Sequence, residues 1–303
     1  MISGIPSQSM YSAILRSINR AQGRISELQR GLADGRAIHA PSDDPVGTAL
    51  TLRARDRIAA INQYQRNLSN GRSHLEATDS LLTQIEEVVI QSRVLVTQAG
   101  NGSLGPDDRA ILGEQADALV REALDLGNQR FAGVHLLGGV RSLEKPFVAR
   151  TDRAGAIVGI SSQVENDTPI VRQVGEDVFL SIRVPASDVF GEGQELFARL
   201  IELRDALRDD DRESLAELGR NLDADHDRVV AAHGVVGTLM LRAEGLESNL
   251  QSDAVTVASD KSRLEDLDVP AALMELQQQE VALQAALQTG ARILSLSLLD
   301  YLD

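Results

Sequence analysis

The stretch Gly35–Leu50, GRAIHAPSDDPVGTAL, sets two prolines around a serine and two aspartates, and long apolar-periodic runs lie on both sides of it. Read as a site, it offers paired carboxylates and, with His39, metal-type ligands. Read as a joint, it ends one helix and starts another. Gly35 stands where a helix C-terminus calls for a residue free to turn left-handed. Pro45 supplies a fixed φ suited to the first turn of a helix. Asp44 before it can accept backbone N–H bonds as an N-cap, and its charge suits the positive helix end. Catalysis by Asp43 and Asp44 would require an enclosed pocket that splits their ionisation, which two adjacent residues between helices do not supply. Gly35, Pro41, Ser42, Asp43, Asp44 and Pro45 are therefore read as a helix cap and hinge.

Working outward, Tyr11, Ile14, Ile18, Ala21, Ile25, Leu28 and Leu32 alternate spacings of three and four. That is the seam of a helix that pairs with another, and it predicts a helix over 7–34. Downstream the same rhythm runs from Ile61 through Leu68, Leu75, Leu82 and Val89 to Ala99. A helix over 46–99 would be about 80 Å long at about 1.5 Å per residue. NGSLGP (Asn101–Pro106) reads as a turn before a helix over 107–131. Short β-branched runs at 156–160, 170–174 and 178–184 are separated by DRAG, NDTP and GED, and read as strands. All five phenylalanines (Phe131, Phe147, Phe179, Phe190, Phe197) fall in the middle of the chain, which predicts a compact region there with its own core.

Helix returns near Gln194, and Asp210 with Glu213 fits a capping box. A second long seam follows from Leu215 to Leu267, interrupted by EDLDVP (Glu265–Pro270). The last helix carries Leu273, Leu276, Leu283, Leu287 and Leu294, with Glu280 and Gly290 as flaws in the stripe. The order of short seam, acidic-proline break, long seam, β region, long seam, break and short seam is near-symmetric. Such ends can pair, short with short and long with long. The expected fold is mainly α with a small β domain: paired terminal coiled-coil helices, a long helical rod and an inserted β-rich middle. The expected segments are 1–45 (coiled coil and hinge), 46–137 and 192–264 (the two halves of the rod), 138–191 (β-rich) and 265–303 (C-terminal coiled coil).

Composition narrows the function. The 303 residues carry a formal net charge of −15, with lysine only at Lys145 and Lys261, so the basic footprint of a nucleic-acid binder is missing. Aromatic residues are 3% and Trp is absent, which is poor material for a stacking pocket. Cysteine is absent, which removes thiol chemistry. No run of 18 apolar residues predicts membrane insertion, and the N-terminus lacks the pattern of a cleaved secretory signal. His226 and His233 are seven residues apart on one predicted helix, about 10.5 Å along its axis, too far to share one ion directly. No nucleophile elbow, Walker motif or dinucleotide fingerprint occurs. No catalytic residue, metal or cofactor is expected.

Energetics then point to assembly. Ordering a terminal helix costs on the order of 1–2 kcal/mol per residue in backbone entropy. Its larger seam residues return roughly 1.5–3 kcal/mol each on burial, and its backbone hydrogen bonds about 1 kcal/mol each. The two sides nearly cancel. A pair of such helices becomes secure when further apolar surface is covered, most simply by copies of itself.

LADGRAIHAPSDDPVGTAL (Leu32–Leu50) resembles the N-terminal signature of the flagellin superfamily. The Pro-Ser-Asp-Asp-Pro form at Pro41–Pro45 is similar to that of its hook–filament junction branch. QYQRNLSNG (63–71), DDRAIL (107–112), KPF (145–147), VGTLMLRAE (236–244) and SLSLLDYL (295–302) add to the likeness, which covers both flanks. The opening MISGIPSQSMY and Leu241 depart from the usual pattern. The resemblance implies a structural role in the bacterial flagellum, with flagellin filament subunit and soluble coiled-coil scaffold as the alternatives. It also implies secretion through the flagellar export channel. The partners it implies are copies of the chain in a ring, the other hook-associated junction protein, flagellin, and an export chaperone on about 264–302. The assembly residues expected are Tyr11, Ile14, Ile18, Ala21, Ile25, Leu28 and Leu32 at one end, and Leu273, Leu276, Leu283, Leu287 and Leu294 at the other.

Overall fold

The computed structural model describes residues 5–101, 104–164 and 170–302, with side chains over 12–101, 104–164 and 170–292. The helices are α1 (Ile5–Asp34), α2 (Pro45–Ala99), α3 (Pro106–Gly127), α4 (Ser187–Phe190), α5 (Glu195–Arg208), α6 (Arg212–Glu265) and α7 (Val269–Leu302). The strands are β1 (Arg130–Phe131), β2 (Val134–His135), β3 (Phe147–Thr151), β4 (Ile157–Ser162), β5 (Val171–Gly175) and β6 (Val178–Ser181). They pair as antiparallel hairpins β1–β2, β3–β4 and β5–β6, each a separate two-stranded sheet. The fold is mainly α with small antiparallel β elements, as expected. By contact, the chain divides into two compact units, one of residues 1–60 with 253–303 and the other of 61–252.

In the larger unit α2 buries Ile61, Leu68, Leu75, Leu82, Ile85 and Val89, the residues its rhythm marks, and also Leu81, Val88 and Leu95. Its inner face is thus wider there than a two-stranded seam. On α6, Leu215, Leu218, Leu222, Val229, Ala232, Val236, Ala243 and Leu250 are buried. Arg93–Asp223 (2.7 Å), His233–Asp79 (2.8 Å) and Arg72–Glu247 (3.2 Å) join the two helices. Numbers fall along one helix as they rise along the other, so these portions run antiparallel. By length and composition alone a stretch of α6 would also suffice to cross a membrane. Its inward apolar positions here are packing residues of the larger unit.

The phenylalanine core forms where hairpin β3–β4 meets the helices. Phe147, Phe190 and Phe197 are fully buried. Phe147 meets the other two edge-on at 4.9 and 5.0 Å, and Phe190 stacks on Phe197 at 4.2 Å. Gly127 makes the fit possible, since a Cβ there would lie 2.8 Å from the Phe147 ring. Beneath, the buried Arg204 of α5 donates to Asp117 of α3 (3.2 Å) and to the Ile157 carbonyl of β4 (2.7 Å). The expected β-rich stretch 138–191 lies within this unit, and its aromatic core is shared with α3 and α5. Hairpin β5–β6 reaches α2 and α6: Asn67 Nδ2 donates to the Gln173 carbonyl (2.8 Å) and Arg242 to that of Phe179 (3.3 Å).

Two local expectations are corrected. The helix expected to reach Phe131 stops at Gly127. The Asn128 side chain donates to the Leu124 and Phe147 carbonyls and accepts from the Phe147 N–H, all at 3.0 Å, so it ties the end of α3 to the start of β3. The cap of α6 is Asp211, not Asp210. Asp211 Oδ1 accepts from Glu213 N–H (3.1 Å) and Ser214 N–H (3.2 Å), while Asp210 takes a left-handed φ of 58° in the turn.

Phe197→Ala is expected to lower stability by about 3–5 kcal/mol through the cavity it leaves. Phe179→Ala, at a side chain 49% exposed, is expected to change it by under about 0.5 kcal/mol. Urea unfolding followed by circular dichroism checks both.

Candidate functional site: the terminal helix pair and its hinge clasp

In the smaller unit α1 packs along α7. Arg24 forks onto Glu275 at 2.7 and 2.9 Å. A Cβ at Gly31 would sit 3.3 Å from Leu267, and one at Gly290 would sit 3.4 Å from Ile14. Early residues of α1 meet late residues of α7, so the pair is antiparallel. The Arg24–Glu275 pair is half exposed, so its contribution is about 0–1 kcal/mol. Its two-pronged geometry chiefly fixes register.

On α1, Ala21 and Leu28 are buried, and Ile14, Ile18, Ile25 and Leu32 are half-buried on the same face. Tyr11 lies outside the described side chains. On α7, the face toward α1 is formed by Ala272, Leu276, Gln279, Leu283, Ala286 and Gly290. Leu273 and Leu287 do not join it and stand 46% and 50% exposed, and Met274 and Val281 on the outer side are more exposed still. Leu294 lies outside the described side chains. The expected C-terminal stripe is corrected here for a physical reason. Leu276, Leu283 and Gly290 fit the three-four rhythm with 272, 279 and 286 as well as with 273, 280 and 287. The structure takes the first solution, with Ala272 and Gly290 buried and the leucines left on the flank.

The hinge is a clasp between the two breaks in the chain. Gly35 closes α1 at φ 73°, its N–H donating to the Gly31 carbonyl (2.8 Å). Arg36 and Asp266 then form an isolated antiparallel bridge. Ala37 N–H donates to the Glu265 carbonyl (2.8 Å) and Leu267 N–H to that of Gly35 (2.9 Å). Asp43 Oδ2 accepts from the N–H groups of Ala40 (2.9 Å) and His39 (3.2 Å), which hold its carboxyl below the ordinary range. Ser42 donates to its other oxygen (3.3 Å). Asp44 Oδ1 accepts from Val46 N–H (3.0 Å) and Gly47 N–H (2.9 Å), capping α2 at Pro45. The adjacent carboxylates therefore serve opposite ends of one turn, with Pro41 at its outer surface. His39 pairs with Asp34 (3.0 Å).

Glu265 sits under this turn, 3% exposed. Its Oε1 meets Arg36 (3.0 Å) and Arg55 (2.5 Å), and its Oε2 meets Lys261 (3.2 Å). Burial alone would push this carboxyl up; Lys261 and Arg55 outweigh it and hold it below the ordinary value. Sequence reasoning missed this group. Glu265 reads there as one acid among several, and only the mirrored positions of the two breaks signal that they meet.

The family described as bacterial flagellin N-terminal helical region matches residues 5–142. Flagellar hook-associated protein 3 of Escherichia coli (strain K12) is 25% identical over 96% of this chain and 97% of its own length. The chain is similar to this flagellar protein nearly from end to end. Flagellin of Bacillus subtilis (strain 168) is 23% identical over 90% of the chain and 91% of its own length. The flagellar junction protein FlgL from Legionella pneumophila superposes with a TM-score of 0.59 at 14% identity, over 71% of this chain and 99% of that one. These likenesses, to flagellar structural proteins over nearly the whole chain, support a structural role in the bacterial flagellum.

The depressed ionisation of Glu265 has a defined consequence. With a folded value below the unfolded one, its contribution is complete above about pH 4.5 and is lost as pH falls through the folded value. Glu265→Gln is expected to reduce exchange protection of the Ala37 and Leu267 amides about tenfold at neutral pH, the scale of one charge-assisted hydrogen bond. It should also abolish the further loss of protection that the native chain shows below about pH 4.5.

Proposed function

We propose that this chain is the subunit that joins the flagellar hook to the flagellin filament, exported from the cytoplasm and assembled outside the cell as a ring of copies. The carrying observation is the near end-to-end likeness to hook-associated protein 3, together with the Pro41–Pro45 block at the hinge. Its neighbours on this reading are copies of itself, the other hook-associated junction protein and flagellin. The region 264–302 takes an export chaperone before assembly. Residues Tyr11, Ile14, Ile18, Ala21, Ile25, Leu28 and Leu32 pair with the C-terminal helix. Leu273 and Leu287 turn outward, where neighbours cover them, and Leu276, Leu283 and Leu294 complete the C-terminal assembly set. Segments 1–45 and 265–303 form the inner packing layer, 46–137 and 192–264 the shaft, and 138–191 the outer face. What supports this division is the thin burial of the α1–α7 pair: most of its large apolar side chains are half-buried or exposed.

A filament subunit is the second reading, favoured by the long match to Bacillus subtilis flagellin. The two readings differ in the deletion strain and in abundance. On the junction reading, electron microscopy of a deletion strain shows hooks without filaments, and the chain is scarce relative to the filament protein. A normal filament on the mutant hooks would end both readings.

Ile18→Asp with Ile25→Asp is expected to stop incorporation into the flagellum while urea unfolding of the larger unit stays unchanged. Normal assembly of that double variant would refute the inner-layer role.

A further inference from the structure

Helical threonines in this chain usually bond back to the preceding turn. Thr78, Thr83, Thr97, Thr238 and Thr289 each donate to a backbone carbonyl three or four residues earlier, at 2.7–3.0 Å. Thr48 and Thr51 in the first turns of α2 do not. Their hydroxyls are shielded from solvent and have no hydrogen-bond partner, and Thr51 is only 7% exposed. Both line a cavity of about 140 Å³ under the Ile38–Pro41 turn, together with Arg36, His39, Arg55 and Glu265. A shielded polar hydroxyl without a partner is costly. The cavity is several times the roughly 30 Å³ share of one water.

The charges around the cavity select the occupant. Two cations, Arg36 and Arg55, line the cavity with one carboxylate, Glu265, which Lys261 also contacts. Asp34, Asp43 and Asp44 keep their charge but direct their oxygens to His39, the turn amides and the α2 cap, and none of them lines the cavity. A guanidinium has five N–H donors, and the contact of Arg55 with Glu265 takes one through Nη2.

We propose that this cavity is a binding site for a small oxyanion, a carboxylate or phosphate group, held by the Thr48 and Thr51 hydroxyls and the Arg55 guanidinium. Such an ion would tie α2 to the turn above it and brace the clasp.

The test is titration of the full chain with inorganic phosphate, with sodium chloride holding ionic strength constant. Calorimetry reports binding, and hydrogen exchange over 36–47 reports the turn. The expected result is saturable one-to-one binding with increased protection of 36–47. Thr48→Val with Thr51→Val should weaken binding at least tenfold while exchange in α5 stays native. Thr51→Ser, which keeps a hydroxyl, should retain binding, so a loss in the valine variant is not a general packing defect. Absence of saturation, equal protection by chloride, or native affinity in the valine variant would overturn the assignment.

Discussion

The antiparallel contact of α1 with α7 is the constraint on which the smaller unit depends. It brings together the two ends of a 303-residue chain, and few large apolar groups hold it. The face of α7 toward α1 is built on Ala272, Ala286 and Gly290, with Leu276 and Leu283 between them. Small residues permit close backbones and leave little area to bury. Hydrophobic stabilisation scales with that area, so the pair gains less than its count of leucines suggests. The leucines that would have added most are turned to the flank.

The clasp compensates at one end of the pair. The backbone bridge between Arg36 and Asp266 and the charge cluster on Glu265 fix where the helices start, so the seam has one register instead of several. A buried carboxylate with a single cation is a poor source of stability, because desolvation offsets attraction. Three cations and a neighbouring backbone bridge change that balance and add specificity. The larger unit has a comparable group, the buried Asp225 on Arg199 and Arg228, but depends on it less. Its core combines a wide α2 face, the α6 seam and a three-ring phenylalanine cluster.

Long elements with a single consistent rhythm were legible from the sequence. The limits of α1 and α2 follow from Gly35, Asp44 and Pro45, whose chemistry admits one reading each. The α2 and α6 seams follow from unbroken three-four spacing. Failures came where two patterns competed or where a side chain acted at long range. Leu273 and Ala272 both satisfy the heptad with Leu276, and periodicity cannot say which backbone approaches more closely. Asn128 ends α3 by bonding to Phe147, nineteen residues on, a contact no local rule anticipates. Asp209–Asp211 offers three acids for one cap, and only the turn geometry chooses. Of the hinge site, the caps were legible and the buried Glu265 with its cations was not, because pairing the two breaks requires the fold.

The central claim is that the chain ends meet in one antiparallel register along this shallow seam. The native chain has no cysteine, so disulfide trapping reads the register cleanly. Cysteines at Ile14 and Gly290, whose side-chain positions lie within van der Waals contact, should oxidise to an intramolecular bond in purified protein and in assembled flagella. A control pair at Ile14 and Val281, on the outer side of α7, should not. Equal cross-linking of the two pairs, or none in either, would contradict the account.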